Sequence, residues 1–220
     1  WTGKIFKVGA LVVLVGMLTS VVSGGMDAVS GAEGLGKASV GLCALILIYA
    51  AFPIAQVVRS AGDSLAESKS SMVNFVFKDL VVASIKVVGH IAALTALFGA
   101  ICSTVAWILN GSGMTIGVEM IGVFDYLYTL PVDAMSAFLG MLGLGFVDVI
   151  IGNFMNLDLT GSEVTGYNLE SAVAVGWEFA QVVLILAKLY VVLAFYHFFW
   201  GVLNTFFNWI KSPYLPFKSS

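Results

Sequence analysis

Two histidines, His90 and His197, are the residues of this 220-residue chain whose type and setting could hold a cofactor. Each stands alone in an apolar run, "KVVGHIAAL" and "VLAFYHFFWGVL". Imidazoles on two facing helices are the axial pair of a haem b, and a chlorophyll needs only one such ligand. His90 lies eleven residues beyond Asp79, and His197 lies fourteen residues before Lys211. At ~1.5 Å per helical residue these offsets are about 16 and 21 Å, so antiparallel helices are expected to carry the two histidines at similar depths. The competing role is a neutral imidazole that shares a hydrogen bond within a helix bundle. Two histidines fall short of the four used by dihaem anchors, so packing is the leading expectation, and no cofactor. Haem b or chlorophyll on His90 and His197 is the alternative.

Other chemistry is sparse. Asp148 is the acid in the middle of a strongly apolar run, "FLGMLGLGFVDVIIG". If that run enters a membrane, Asp148 is a candidate for a proton or cation path; otherwise it is an interfacial side chain, the favoured reading. Cys43 and Cys102 also sit in apolar runs and are expected to be buried thiols rather than a disulfide. No CxxC, Walker loop, HExxH, GxSxG or paired catalytic carboxylate occurs.

The elements that must position these residues follow from composition. The chain is 60% hydrophobic and 10% charged, with a mean hydropathy of +1.00. Soluble domains run near 25% charged, so this is expected to be an all-α integral membrane protein bathed by a lipid bilayer, with no nucleic-acid partner. Four transmembrane helices are expected, near Val8–Gly24, Ala38–Val58, Leu80–Asn110 and Leu184–Trp209. Each offers the ~17–25 apolar residues that cross a hydrocarbon core of ~30 Å. Pro53 is expected to kink the second. Lys86 and Lys188 are expected near opposite interfaces, where long side chains snorkel to water.

Charge sets the orientation. Lys4, Lys7, Arg59, Lys69, Lys78, Lys86, Lys211 and Lys218 flank one end of these spans, whereas Lys37 stands alone on the first loop at the other. Between Val87 and Ala187 there is no lysine or arginine but eight acids. The positive-inside rule then places both termini and the 59–79 connection in the cytoplasm, or on the matrix or stromal equivalent. The whole of 1–220 is read as one membrane domain, with 110–175 an acidic, non-cytoplasmic insertion between spans three and four. That insertion must cross the membrane twice or not at all. Its recurrent acids (Asp125, Asp133, Asp148) and glycines favour amphipathic or re-entrant helices at the outer face, broken at Pro131. Asn168 before "LESA" is a candidate helix cap.

Small residues at four-residue spacing, Gly16, Ser20 and Gly24, make a smooth face on the first span, and Gly89, Ala93, Ala96 and Ala100 a similar groove on the third. Internal packing is the favoured use of both, and an intersubunit contact the other. These features point to a non-enzymatic structural subunit of a larger multi-subunit membrane assembly, a homo- or hetero-oligomer. The alternatives are a haem- or chlorophyll-bearing anchor of an electron-transfer complex, and an oligomeric channel or secretion-machinery component.

Overall fold

Long apolar runs without helix breakers, in a solvent that cannot satisfy a bare peptide group, leave the α-helix as the available element. The computed structural model describes residues 2–111, 133, 136–141, 143, 145–159, 164 and 166–211. Its four long helices, each apolar and long enough to cross a membrane, are α1 (Thr2–Gly31), α2 (Leu35–Glu67), α3 (Met72–Ile108) and α5 (Leu169–Lys211), with the shorter α4 (Gly145–Met155) between the last two. The protein is an all-α, multi-pass membrane protein. Asp125, Pro131 and the side chain of Asp148 lie outside the described residues; the backbone of Asp148 belongs to α4.

The helices run well past the expected spans. α5 begins at Leu169 rather than near Leu184, and the reason is local. The Asn168 carboxamide oxygen accepts the Ser171 N–H at 2.7 Å, the cap expected from the sequence. No proline follows before Lys211. At 1.5 Å per residue its 43 residues reach about 64 Å, twice a hydrocarbon core. α2 likewise continues through Pro53.

Consecutive long helices pack antiparallel. A Cβ added to Gly3, at the start of α1, would lie 2.6 Å from the Gly62 carbonyl oxygen near the end of α2. At the other end of the pair, one added to Gly25 would lie 3.2 Å from the Ala44 Cβ. Lys7 pairs with Asp63 at 2.7 Å across the same hairpin. α2 meets α3 through Cys43 and Cys102, both fully buried. As expected they form no disulfide; each thiol instead approaches the other's carbonyl, at 3.6 and 3.9 Å. Below them Ile54 and Val58 pack on Val87 and Ile91.

Three contacts set the register of α3 against α5. Trp107 stacks on Tyr167 at 4.8 Å and donates its indole N–H to the Asn168 carbonyl at 3.1 Å. Gly89 faces Leu189 so closely that a Cβ there would lie 2.5 Å from a leucine methyl. Phe77 stacks on Trp200 at 5.7 Å, and the Tyr196 hydroxyl donates to the Phe77 carbonyl. Four antiparallel helices put the start of α1 and the end of α5 on one side of the bundle, and Lys4, Lys7, Arg59, Lys69 and Lys78 collect there. We call this the basic end.

α4 has 11 residues, about 17 Å, too few to cross. It nonetheless lies deep. Met155 is buried with Ile185, Leu189 and Val192 of α5 and with Ala92 and Ala93 of α3, and Ile151 and Phe154 pack beside it. Leu189 is twenty residues along α5 from its first residue, or about 30 Å. The C-terminal end of α4 is thus packed on α3 and α5, while Phe146, Val149 and Ile150 on its other side are exposed.

Candidate functional site

The region between α2, α3 and α5 at the basic end encloses a cavity of about 570 Å³ that touches both histidines. They occupy its opposite ends. His197 lies between Tyr196 and Trp200, which meet Phe77, whereas His90 is thirteen residues further along α3, beside the Gly89–Leu189 contact. Gly89 meets Leu189, eight residues before His197, so the axial separation is about 12–14 Å. This corrects the expectation of equal depth: that count took Asp79 and Lys211 as one level, whereas Phe77 meets Trp200 and α5 continues about eleven residues beyond it. One iron between two axial imidazoles needs both residues at one level, so this register does not offer His90 and His197 as a pair to one haem.

Each imidazole is oriented by its own helix. The Nδ1 of His90 is 2.6 Å from the Lys86 carbonyl oxygen, and that of His197 is 2.7 Å from the Leu193 carbonyl oxygen. A carbonyl can only accept, so in both rings Nδ1–H donates and Nε2 is left to act on the surroundings. The interhelical hydrogen bond expected of them is thus replaced by an intrahelical one.

The mouth of the cavity is built by the short connection from α2 to α3. The first turns of α3 include a π-helical stretch, Phe75–Leu80, a local widening that often marks functional positions. It presents Lys78 and Asp79 to the cavity. Asp79 accepts hydrogen bonds from Ser68 and from Ser70, the latter at 2.5 Å, which draw the connection over the opening. Lys69, Lys78 and Lys86 line the same space. Among the described residues none of these three ammoniums is within ion-pair distance of a carboxylate.

Lys188 departs from expectation. Gly89 abuts Leu189, so Lys188 and Lys86 lie at nearly one level, not at opposite interfaces. Lys188 is 6% exposed, and its ammonium donates to the Leu157 carbonyl at 2.7 Å. Gln181 accepts the Leu159 N–H at 2.9 Å. Both backbone groups belong to the non-helical exit of α4, the kind of peptide that membrane depth tolerates only when protein satisfies it. A lysine and a glutamine seven residues apart on one apolar helix were the available signal.

The small-residue faces divide. The Gly89–Ala100 groove packs internally: Gly89, Ala93 and Ala100 are buried. Gly16 and Ser20 are exposed, and a Cβ on Gly16 would meet nothing within 4 Å. The residues that bring α1 close to α2 are Gly3, Ala10 and Gly25, on a different face. No family model, curated protein or solved structure matches this chain.

Proposed function

We propose that the chain is a non-enzymatic, multispanning subunit of a larger membrane assembly, with its basic end in the cytoplasm or the matrix or stromal equivalent. The observation that carries this reading is the outward face of α1. α1 packs chiefly on α2 and turns Gly16 and Ser20 away from the bundle. The neighbouring hydroxyls spend their hydrogen bonds inside the helix, Thr19 on the Val15 and Gly16 carbonyls and Ser23 on the Thr19 and Ser20 carbonyls, at 2.9–3.2 Å. What remains is a strip of small side chains, Gly16 and the short Ser20, flanked by hydroxyls that are bonded within the helix. In lipid, covering leucine yields little, whereas a strip of small residues lets another helix approach to backbone contact. The occupant is a membrane-spanning helix of another subunit.

Gly16→Leu fills the strip and is expected to shift the assembly, extracted in mild detergent, toward smaller species by about fivefold or more in the dissociation constant, the range of ~1 kcal/mol typical of such contacts. Val12→Leu, on an exposed but already bulky position, is expected to leave the size distribution unchanged. Equal behaviour of the two variants refutes the strip as a contact. Orientation is checked separately. In a background lacking Cys43 and Cys102, a cysteine at Ser70 is expected to react with an impermeant maleimide only from the cytoplasmic side, and one at Glu33 only from the other; the reverse pattern overturns the orientation.

A further inference from the structure

We infer that the cavity between α2, α3 and α5 binds an anionic amphiphile through its phosphate. The inference is independent of the assembly proposed above. Three observations carry it. The first is shape: about 570 Å³ lies beside the contact of Val58 with Val87, on the side of the α2–α3 connection, whose Ser68, Lys69 and Ser70 line it. A space of this size accommodates a drug-sized ligand or one lipid headgroup with the first part of its chains.

The second is charge. Lys69, Lys78 and Lys86 line the cavity with Asp79 as its acid, and Asp79 is already engaged by two serine hydroxyls. Three ammoniums against one occupied carboxylate leave a net positive lining. Lys86 matters most, since it sits seven residues, about 10 Å, further into α3 than Asp79. Its side chain is exposed at the cavity, and among the described residues no carboxylate pairs with it. A phosphate between Lys86 and the mouth lysines would.

The third is the gradient along the cavity. Ser60, Ser64 and the lysines occupy its rim, while Val57, Ala61, Val82, Ala83 and Val87 form its walls. A polar rim over apolar walls fits a ligand with a charged head and a hydrocarbon body, entering at headgroup level. His90 lines the end of the cavity further along α3. Juxtamembrane lysines attract anionic lipid headgroups, and the charge they share as point donors is that of a phosphate monoester or diester. Its source is a phospholipid of that leaflet or a soluble phosphorylated molecule.

The test is thermal unfolding of the purified full chain in a neutral detergent, titrated with short-chain phosphatidylglycerol, with short-chain phosphatidylcholine and with inorganic phosphate. Phosphatidylglycerol is expected to raise the Tm at concentrations at which phosphatidylcholine does not. The Lys69→Gln/Lys86→Gln variant is expected to need at least tenfold more of it for the same shift, while Lys37→Gln, at the opposite end, behaves as wild type. Each variant's Tm without lipid serves as the control for folding. Protection by inorganic phosphate equal to that by phosphatidylglycerol overturns the amphiphile and assigns the site to soluble phosphates. Equal protection by the two lipids, or full protection of the double variant, overturns the inference.

Discussion

Replacing Lys188 by methionine is expected to free the α4 segment from the bundle while leaving the four long helices folded. Methionine matches the length and apolar stem of lysine but donates no hydrogen bond. Two effects oppose each other. Removing a cation that is 6% exposed relieves its desolvation, which favours the variant. The Leu157 carbonyl, however, loses the ammonium that serves it at 2.7 Å, and an unsatisfied buried carbonyl costs ~1–3 kcal/mol. In the folded bundle the carbonyl cannot turn to water without withdrawing the exit of α4, whereas the methionine can stay where it is. The segment is therefore the part that yields. Hydrogen exchange of the amides of residues 145–159 is expected to accelerate ten- to a hundredfold, following from ~1.4–2.8 kcal/mol, and a cysteine at Asn156 should become reactive to maleimide. Gln181→Leu, which removes the acceptor of the Leu159 N–H, is expected to act in the same direction but more weakly. Unchanged exchange across 145–159 in Lys188→Met would show that the apolar burial of Met155 alone holds α4 in place.

The second large effect is expected at the α1–α2 crossing. A Cβ on Gly62 would lie 2.8 Å from the Phe6 Cβ, 3.0 Å from the Gly3 carbonyl oxygen and 3.4 Å from the Lys7 nitrogen. Two of these three atoms are backbone, so no rotamer change makes room and the helix itself must move. Gly62→Ala is thus expected to cost about 1–3 kcal/mol. Gly62→Leu is expected to open the basic half of the hairpin, separating Lys7 from Asp63 and lowering the Tm further. Gly9→Ala is the control, because nothing lies within 4 Å of its added Cβ. There the intrinsic helix preference of alanine operates unopposed and is expected to stabilise by roughly 0.5–1 kcal/mol. Similar unfolding temperatures for Gly62→Ala and Gly9→Ala would remove the close-approach account of this helix pair.

How much was legible in the sequence depended on the range of the interaction. Hydrocarbon thickness and the peptide hydrogen bond act on any apolar run of sufficient length, so four spans, the buried thiols of Cys43 and Cys102 and the bundling of lysines at one end could be read from residue order. The Asn168 cap was legible for the same reason, since it acts within three residues. Helix ends were read less well. α5 starts fifteen residues before the expected Leu184, because hydropathy falls along "LESAVAVGWEFAQ" while helix formation, once capped, does not stop.

Tertiary structure alone decided which faces meet and at what depth. The register of α3 on α5 rests on Trp107–Asn168, Gly89–Leu189 and Phe77–Trp200, pairs separated by 61, 100 and 123 residues, and it moved His90 and His197 to opposite ends of one cavity. Which small residues serve packing was likewise not a matter of spacing. Gly16 and Ser20 match the four-residue repeat as well as any, yet Gly3, Ala10 and Gly25 carry the α1–α2 contact. The physical reason is common to both cases. In a membrane all faces of an apolar helix are equally at home, so burial pattern carries little directional information; side-chain shape and a few buried hydrogen bonds, such as Lys188 to Leu157, choose among faces that composition leaves equivalent.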